Sequence, residues 1–270
     1  MSQWRKYNGA IIPISAPHLS VEINKKTIKK ILAENKAYFA RWTSDFDYAK
    51  KTDFWFIIKD RFEGLEELSS NTRKSIRKGL KNTVVQLVPK NVIVELGYEV
   101  YKEAFKRYLA KHSMKSKVQF VKEIESLEGQ WDFWGVFNKQ GKLIGYSQNR
   151  IVDGFCDYST TKFHPDFLKL RISDVLFYSM TDYYLNEMKL KYVCGGTRSI
   201  LHETNIQKEY IRKFKFRKAY CRLHVEYSLM LRFIVMFIYP LRFVFNRFNN
   251  KFALKITALL LQEKIRRSFL

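Results

Sequence analysis

The chain is short of acid. Its 270 residues carry 26 Asp and Glu against 49 Lys and Arg, a formal charge of +23. A field of that sign gathers anions, whether nucleic acid, acidic lipid headgroups or phosphorylated small molecules, and does not choose among them. Cysteine is scarce as well. Cys156, Cys194 and Cys221 are odd in number, form no CxxC or Cys/His spacing, and so exclude a disulfide framework and a zinc site. Each lies in a strand-like segment and reads as a buried, reduced thiol of a cytosolic protein. The opening MSQWRKYNGA lacks the unbroken apolar stretch of a secretory signal. The longest apolar run, Leu229 to Tyr239, holds Arg232 and stops at Pro240, short of the roughly 20 residues that span a bilayer. There is no P-loop, HExxH, Ser-His-Asp or paired-carboxylate glycosidase signature, no internal repeat and no low-complexity tract. What is present in quantity is hydrophobic (46%) and aromatic (16%) side chain, enough for one substantial core with room for a small appendage.

Residues 1–22, broken by Pro13 and Pro17, read as irregular. Asn24 to Ala40 reads as a basic helix followed by an aromatic turn, Arg41 to Asp47. Phe54 to Ile58 is a short apolar strand. Leu68 to Asn82 opens with Ser and Asn capping residues and carries Arg73, Lys74, Arg77, Lys78 and Lys81 on a helix. Thr83 to Val88 follows as a strand closed by Pro89, then two amphipathic helices over about 92–110 and 118–127. Trp131–Asn138, Leu143–Val152 and Phe155–Thr161 form a three-stranded meander, turned at 139–142 and at Asp153-Gly154. Ile172, Val175, Leu176, Met180 and Tyr183 share one stripe of a helix over 172–188. A strand from Lys191 to Cys194 ends at a Gly195-Gly196 turn, a helix runs from Thr204 to Lys213, and an aromatic strand from Phe216 to Tyr227. Alternation of strand and helix is the ligand-binding half of an α/β domain, where ligands sit beyond strand ends near helix N-termini.

The segment Ser228–Leu270 differs. It has eight cations against one acid, Glu263, interleaved with Phe and Leu. Basic residues among bulky apolar ones fit an interfacial helix on anionic lipid; an ordinary pair of helices packed on the domain, with cations in water, is the alternative.

Four pieces, in order, resemble the GNAT acyltransferase superfamily, in particular its Fem-type and polysaccharide-locus branches: LSSNTRKSIRKG, the meander around GKLIGYSQNRIVDG, FHPDFLKLRISDVLFYSM, and the strand–helix–strand ending at Lys213–Ala219. The likeness covers roughly Leu68 to Tyr227. It implies an α/β (α+β) fold with a mixed, mostly antiparallel central sheet flanked by helices, and C-terminal amphipathic helices added. The resembling part is then a transferase domain (68–227), preceded by an extension (1–67) completing the acceptor side and followed by the basic amphipathic helices of 228–270, read above from their composition as suited to membrane-surface contact. In that family two parallel strands splay to hold a pantetheine arm, and the diphosphate rests on amides at the next helix start. The corresponding cofactor loop is Lys169, Leu170, Arg171, Ile172 and Ser173, preceded by Leu168. It contains no glycine, so Lys169 and Arg171 would meet phosphate by charge and Ser173 by its hydroxyl. Asn205, at the next helix start, is grouped with them. The implied co-substrate is an acyl-CoA (acetyl-CoA or longer), with no metal.

Acyl transfer to an amine needs a base for the ammonium proton and an acid for the leaving group. His202 and Glu203 are base candidates, although Glu203 also suits the positive end of the helix behind it. Tyr210 stands near the position of the family's tyrosine acid. Asp157 and Tyr158 are consecutive on a strand, so only one can face the ligand. Arg41, Trp42, Asp45 and Asp47 set an aromatic ring beside an arginine and two carboxylates, which suits a sugar or amino-sugar acceptor, or equally a packed inter-segment corner. Arg198 and Ser199 are placed to bind acceptor or donor phosphate, or to be a solvated loop. His18, His112, His164 and His224 have no partner by spacing.

The reading favoured is an acyl-CoA-dependent transferase acting on an amine or hydroxyl of a cell-envelope sugar or lipid precursor, peripheral on the cytoplasmic face of the membrane. The alternatives are an aminoacyl-tRNA-dependent Fem-type transferase and a non-catalytic module that binds lipid or polyanion.

Overall fold

The computed structural model describes residues 4–7, 9–107, 113–200, 205–245 and 251–269. In chain order the elements are β1 (Trp4–Tyr7), β2 (Ala10–Pro13), α1 (Lys25–Glu34), β3 (Phe39–Ser44), β4 (Phe54–Lys59), α2 (Ser70–Asn82), β5 (Thr83–Val88), α3 (Lys90–Lys106) and α4 (Lys117–Glu125). Then come β6 (Gln130–Asn138), β7 (Leu143–Val152), β8 (Phe155–Phe163), α5 (Ile172–Asp182), β9 (Tyr192–Thr197), α6 (Asn205–Phe214), β10 (Arg217–Tyr227), α7 (Leu229–Ile238), α8 (Arg242–Phe245) and α9 (Lys251–Arg267). They fold as two compact units: residues 58–196 with 206–217, and residues 1–57 with 197–205 and 218–270.

The first of these units is built on strands ordered β9-β8-β7-β6-β5. β5 to β8 are antiparallel neighbours, and only β8 and β9 run parallel. The meander is where alternation and turn chemistry predict it. At the β7–β8 turn Asp153 and Gly154 both have positive φ (50° and 80°), as the mirror-image turn of a tight hairpin requires. One sheet face packs on α3 and α4 through Phe133, Leu143 and Tyr146 against Val100, Tyr101, Phe120 and Ile124. α2 starts where Ser69 Oγ accepts from the Thr72 amide at 3.3 Å. Its Gly79 lies against α5: a Cβ there would be 2.8 Å from Val175 Cβ, so the missing side chain sets the helix–helix distance. α5 does not continue evenly to residue 188. It widens into a π turn over Tyr183–Glu187.

The second unit orders its strands β1-β2-β3-β10-β4, with β4 entering it through Phe54–Ile57. Two sequence expectations fail here. Residues 1–22 are not wholly irregular, because β1 and β2 form a hairpin with Ile11 fully buried. Pro13 is the last residue of its strand, where a missing N–H costs little. Nor does a helix run from 24 to 40 into an aromatic turn. α1 ends at Glu34, Lys36 turns the chain with φ of 48°, and Phe39–Ser44 become β3, antiparallel to β10. Phe39, Trp42 and Thr43 are strand-forming residues, and the partner strand overrode the helical pattern of the Lys/Ala-rich stretch before them. Below this sheet Phe54, Cys221, Leu223, Val225 and Tyr227 pack with Val235 of α7 and Ile265 of α9. The three cysteines are free and buried on β8, β9 and β10.

Candidate active site

The site follows from where strand pairing stops. β8 and β9 are joined over three residue pairs, Phe155–Tyr192, Cys156–Val193 and Asp157–Cys194. Beyond Asp157, β8 runs on through Phe163 along β7, while β9 runs on through Thr197 without pairing with it. Two parallel strands that part in this way leave backbone N–H and C=O groups facing an opening, and such groups demand partners. β9 therefore passes through Gly195 and Gly196 instead of ending at Cys194, which corrects the expected glycine turn. The reason for glycine is space. A Cβ on Gly195 would lie 2.7 and 2.8 Å from ring carbons of Tyr210 on α6.

Tyr210 is buried among Tyr158, Phe177 and Phe216. Its ring stacks on Phe216 at 4.8 Å and meets Phe177 edge-on at the same separation. Tyr158 Oη is 3.1 Å from Thr181 Oγ1. Burial pushes both phenols well above their ordinary range, so each rests as the protonated phenol. The structure thus brings Tyr158 and Tyr210 together and turns Tyr158 into the α5-facing core. Asp157 takes the other face of β8, directly across from Arg150 of β7.

The loop from β8 to α5 is a 3-10 turn, Pro165–Leu170, closed by Arg171 in the left-handed region (φ 66°, ψ 33°). A glycine-free loop makes its turn with an arginine. Lys169 and Arg171 are exposed, Ser173 is half-buried, and Leu170 lies between. Ile172 is buried, so it can offer only its backbone. The first turn of α5 also holds Asp174, whose carboxylate accepts from Lys213 Nζ at 2.8 Å with 3% of its side chain exposed. An acid there suits the positive helix end. Burial alone would lower the Lys213 ammonium, but hydrogen bonds to Asp174 and Glu209 raise it above its ordinary value. Asn205 is exposed at the start of α6, and His202, Glu203 and Thr204 lie outside the described residues.

Sequence reading missed a polar cluster under α5. Tyr184, on the π turn, donates to Asp132 Oδ2 at 3.0 Å and accepts from Trp134 Nε1 at 2.9 Å and from Asn149 Nδ2 at 3.2 Å. Ser147 Oγ donates to Asn149 Oδ1 at 2.6 Å. Burial raises the Asp132 carboxyl although the Tyr184 bond pulls it down. Asn149 and Ser147 inside an apolar strand were the available signal, but their partners lie on other elements.

The remaining expected residues belong to the other unit. Trp42 stacks on His224 at 5.2 Å with Trp4 edge-on to it, Ser44 Oγ is 2.8 Å from His224 Nε2, and Asp45 is exposed beside Ser44 and Arg222. Arg41 is half-buried on the same strand, and burial lowers its guanidinium below the ordinary value. The Arg198 amide donates to the Trp55 carbonyl at 2.9 Å. Its guanidinium bonds the Asp53 carbonyl and lies 4.8 Å over the Trp55 ring, which Lys218 also caps at 4.0 Å. Ser199 is half-buried. Among the described residues no group of three or more His, Cys, Asp or Glu could hold a metal ion.

A mixed, mostly antiparallel sheet flanked by helices, with two parallel strands that part, is a GNAT-like fold. Solved structures bear this out. The chain is similar to FemX over 80% of its own length and 81% of that chain, at 13% identity and a TM-score of 0.56. It is also similar to the C-terminal domain of a putative lysylphosphatidylglycerol synthetase from Agrobacterium fabrum, over 86% and 82% of the two chains, at 11% identity and a TM-score of 0.53. L-PGS from Bacillus licheniformis matches over 98% of this chain and 86% of its own, at 11% identity and a TM-score of 0.50. No family model and no curated protein matches the sequence.

Proposed function

We propose that the chain is a transferase that moves an acyl group from an acyl-CoA to an amine or hydroxyl of a cell-envelope sugar or lipid precursor, working in the cytoplasm at the membrane face. The observation that carries this reading is the parting of β8 from β9 after Asp157–Cys194, on the strand whose continuation leads through Pro165–Leu170 into α5. An extended pantetheine arm would take the freed backbone groups as an added strand does. The acceptor nitrogen or oxygen attacks the thioester carbonyl, the new C–N or C–O bond forms as the C–S bond breaks, and the acceptor's proton passes to a base. Asp157 beside the opening, or His202 or Glu203, would be that base, and Tyr210 would return a proton to the thiolate. Lys169 and Arg171 would hold the diphosphate by charge, with the Ser173 hydroxyl and the backbone amide of Ile172 beside them and Leu170 between; Asn205 is the further donor-binding residue expected from the sequence. Arg41, Trp42, Asp45, Arg198 and Ser199 remain the acceptor residues expected from the sequence, while Tyr158 is turned into the core of its own unit.

A second reading rests on a different observation. The exposed cations of α2, Lys74, Arg77, Lys78 and Lys81, recur three and four residues apart and make a basic face without any acidic residue on the helix. Such a face is an electrostatic footprint for RNA, and with an aminoacyl-tRNA as donor the glycine-free loop would need no diphosphate. One structural neighbour is named for a lysylated phospholipid, which supports an aminoacyl group and a lipid acceptor in this reading.

Calorimetric titration with acetyl-CoA and a long-chain acyl-CoA tests the first reading. Micromolar binding that disappears in Lys169→Ala/Arg171→Ala supports it, and the chain length preferred identifies the acyl class. Absence of heat with both donors sinks it in favour of the aminoacyl-tRNA donor, which gel-shift with charged tRNA then tests.

A further inference from the structure

α7 packs by one narrow stripe. Leu231 and Val235, four residues apart, face the core of β10 and α9, and most of the rest of the helix is bare. Leu229 and Met230 are each 64% exposed, Phe233 56% and Phe237 71%, and Met236 is exposed beside them. The bare surface continues past Pro240 to Leu241 and Phe243, the latter 67% exposed. Bulky apolar residues exposed in succession on a helix and its continuation are a contiguous patch, not the scattered single residues of an ordinary surface. With 10 residues α7 is about 15 Å long, half of what crossing a bilayer needs.

Next to this patch α8 and α9 frame a shallow pocket of about 100 Å³, open to solvent and lined by Arg242, Phe243, Thr257, Leu260, Leu261 and Lys264. Its wall is apolar and its cations are Arg242 and Lys264. Arg242 is pre-set for the role: it lies 4.7 Å over Tyr239 and 4.3 Å over Phe243, with Nη1 donating to the Tyr239 carbonyl at 3.2 Å. Among the described residues neither Arg242 nor Lys264 has a carboxylate partner. The one acid of residues 228–270, Glu263, is buried and already taken by Arg266, Arg267 and Tyr227. Arg267 lies 3.9 Å from the centre of the Tyr239 ring, so that this tyrosine carries two guanidiniums.

We propose that α7, α8 and the pocket beside them are a docking surface for an anionic phospholipid bilayer. α7 lies in the interface plane with Leu229, Met230, Phe233, Met236 and Phe237 among the upper acyl chains, and one lipid phosphate seats between Arg242 and Lys264 with its chain along Leu260 and Leu261. The partner follows from charge complementarity. Apolar insertion alone would suit any bilayer, but the chain's +23 charge and a pocket whose cations lack acids select a negative one. The inference gives a device to the membrane location in the proposed function, and it stands or falls without the transfer chemistry.

Sedimentation with phosphatidylcholine vesicles, with and without phosphatidylglycerol, tests it without any acyl donor. The full chain is expected to pellet with the phosphatidylglycerol vesicles and not with phosphatidylcholine alone. Phe233→Ser/Phe237→Ser, both at exposed positions, should weaken partitioning at least ~10-fold. Arg242→Gln/Lys264→Gln should remove most of the preference for phosphatidylglycerol while circular dichroism and thermal melting stay those of the parent. No pelleting with phosphatidylglycerol at low salt overturns the proposal. So does pelleting that the Phe pair leaves unchanged, which would make the attraction electrostatic and unlocalised. A parent that is dimeric in solution and becomes monomeric in the Phe pair, with vesicle binding unaffected, would assign the face to a second copy and overturn the proposal too. Failure of donor binding in solution would leave these outcomes untouched, so the two readings fail separately.

Discussion

Gly195→Ala is the substitution that most directly probes the opening between β8 and β9. The new methyl would lie 2.7 Å from Tyr210 Cδ2 and 2.8 Å from Cε2, closer than carbon atoms approach in packed proteins. Tyr210 has little freedom to yield, because Phe216 stacks on one face and Phe177 meets it edge-on, each at 4.8 Å. Overpacking of this kind costs about 1–3 kcal/mol. Against it stands a gain of roughly 0.5–1 kcal/mol, because alanine loses less backbone freedom than glycine on entering a strand. The net expectation is destabilisation of about 1–2 kcal/mol, read as a lower urea midpoint at unchanged slope. Tyr210→Val removes the offending ring atoms at a cost of about 3 kcal/mol. In that background Gly195→Ala should become neutral or stabilising, a coupling of about 2 kcal/mol in the double-mutant cycle. The same single substitution should weaken acyl-CoA binding, since it displaces the ring that borders the opening. An alanine that is harmless beside Tyr210, or equally harmful in the Tyr210→Val background, would refute the claim that the ring demands glycine there.

Three further outcomes can be measured. Lys213→Met leaves the carboxylate of Asp174 buried without its partner, and should lower stability by about 2–4 kcal/mol, part of which Asp174→Leu in the same chain restores. Asp132 has a raised folded-state value, so the folded protein holds that proton longer than the unfolded chain. The stability this confers is complete at acid pH and is lost as pH rises from the ordinary 3.8 through the folded value; Asp132→Asn should flatten that slope in urea midpoints taken across the range. His224 goes the other way: burial first, then Arg222, lower it, with Asp45 opposing. Its imidazole should titrate below the ordinary 6.5 by NMR, and its contribution to stability should be lost as pH falls through 6.5 and below.

What the sequence disclosed depended on how local the cause was. The meander was legible because alternation, two turns and Asp153-Gly154 act within a few residues, and β7 begins and ends at Leu143 and Val152 as expected. α2 was legible from its Ser69 cap, and β5 from the β-branched run before Pro89. β3 was not, because what makes Phe39–Ser44 a strand is β10, more than 170 residues later. The same pairing supplies what spacing denied His224, whose partners Trp42 and Ser44 come to it across the ladder. Gly195-Gly196 reads locally as a turn, and only the Tyr210 ring explains a glycine at the first of these strand positions. The Asp132–Tyr184–Asn149 cluster joins three elements, and Asp132 and Tyr184 are 52 residues apart. The apolar excess of α7 was legible in composition, whereas the face left bare was decided by Leu231 and Val235 packing inward.

The start of α5 gives the two proposed donors different salt dependences. Helix N-termini attract anions through amides that lack intrahelical partners, and that attraction is weakly screened when the anion is close and dry. Here a carboxylate, Asp174, already occupies the first turn and is held by Lys213. A diphosphate arriving at this helix meets a site that is partly neutralised and must draw on Lys169 and Arg171, which stand exposed on the loop. Exposed cations act through a screened field, so binding by them falls steeply with salt, by contrast with binding in an amide cradle. Acyl-CoA affinity that drops at least ~10-fold between low and physiological salt, and that Lys169→Ala/Arg171→Ala abolishes, is what the side-chain mode requires. Affinity indifferent to both would place the diphosphate on backbone amides despite Asp174, and the missing glycine would then have no bearing on the choice of donor.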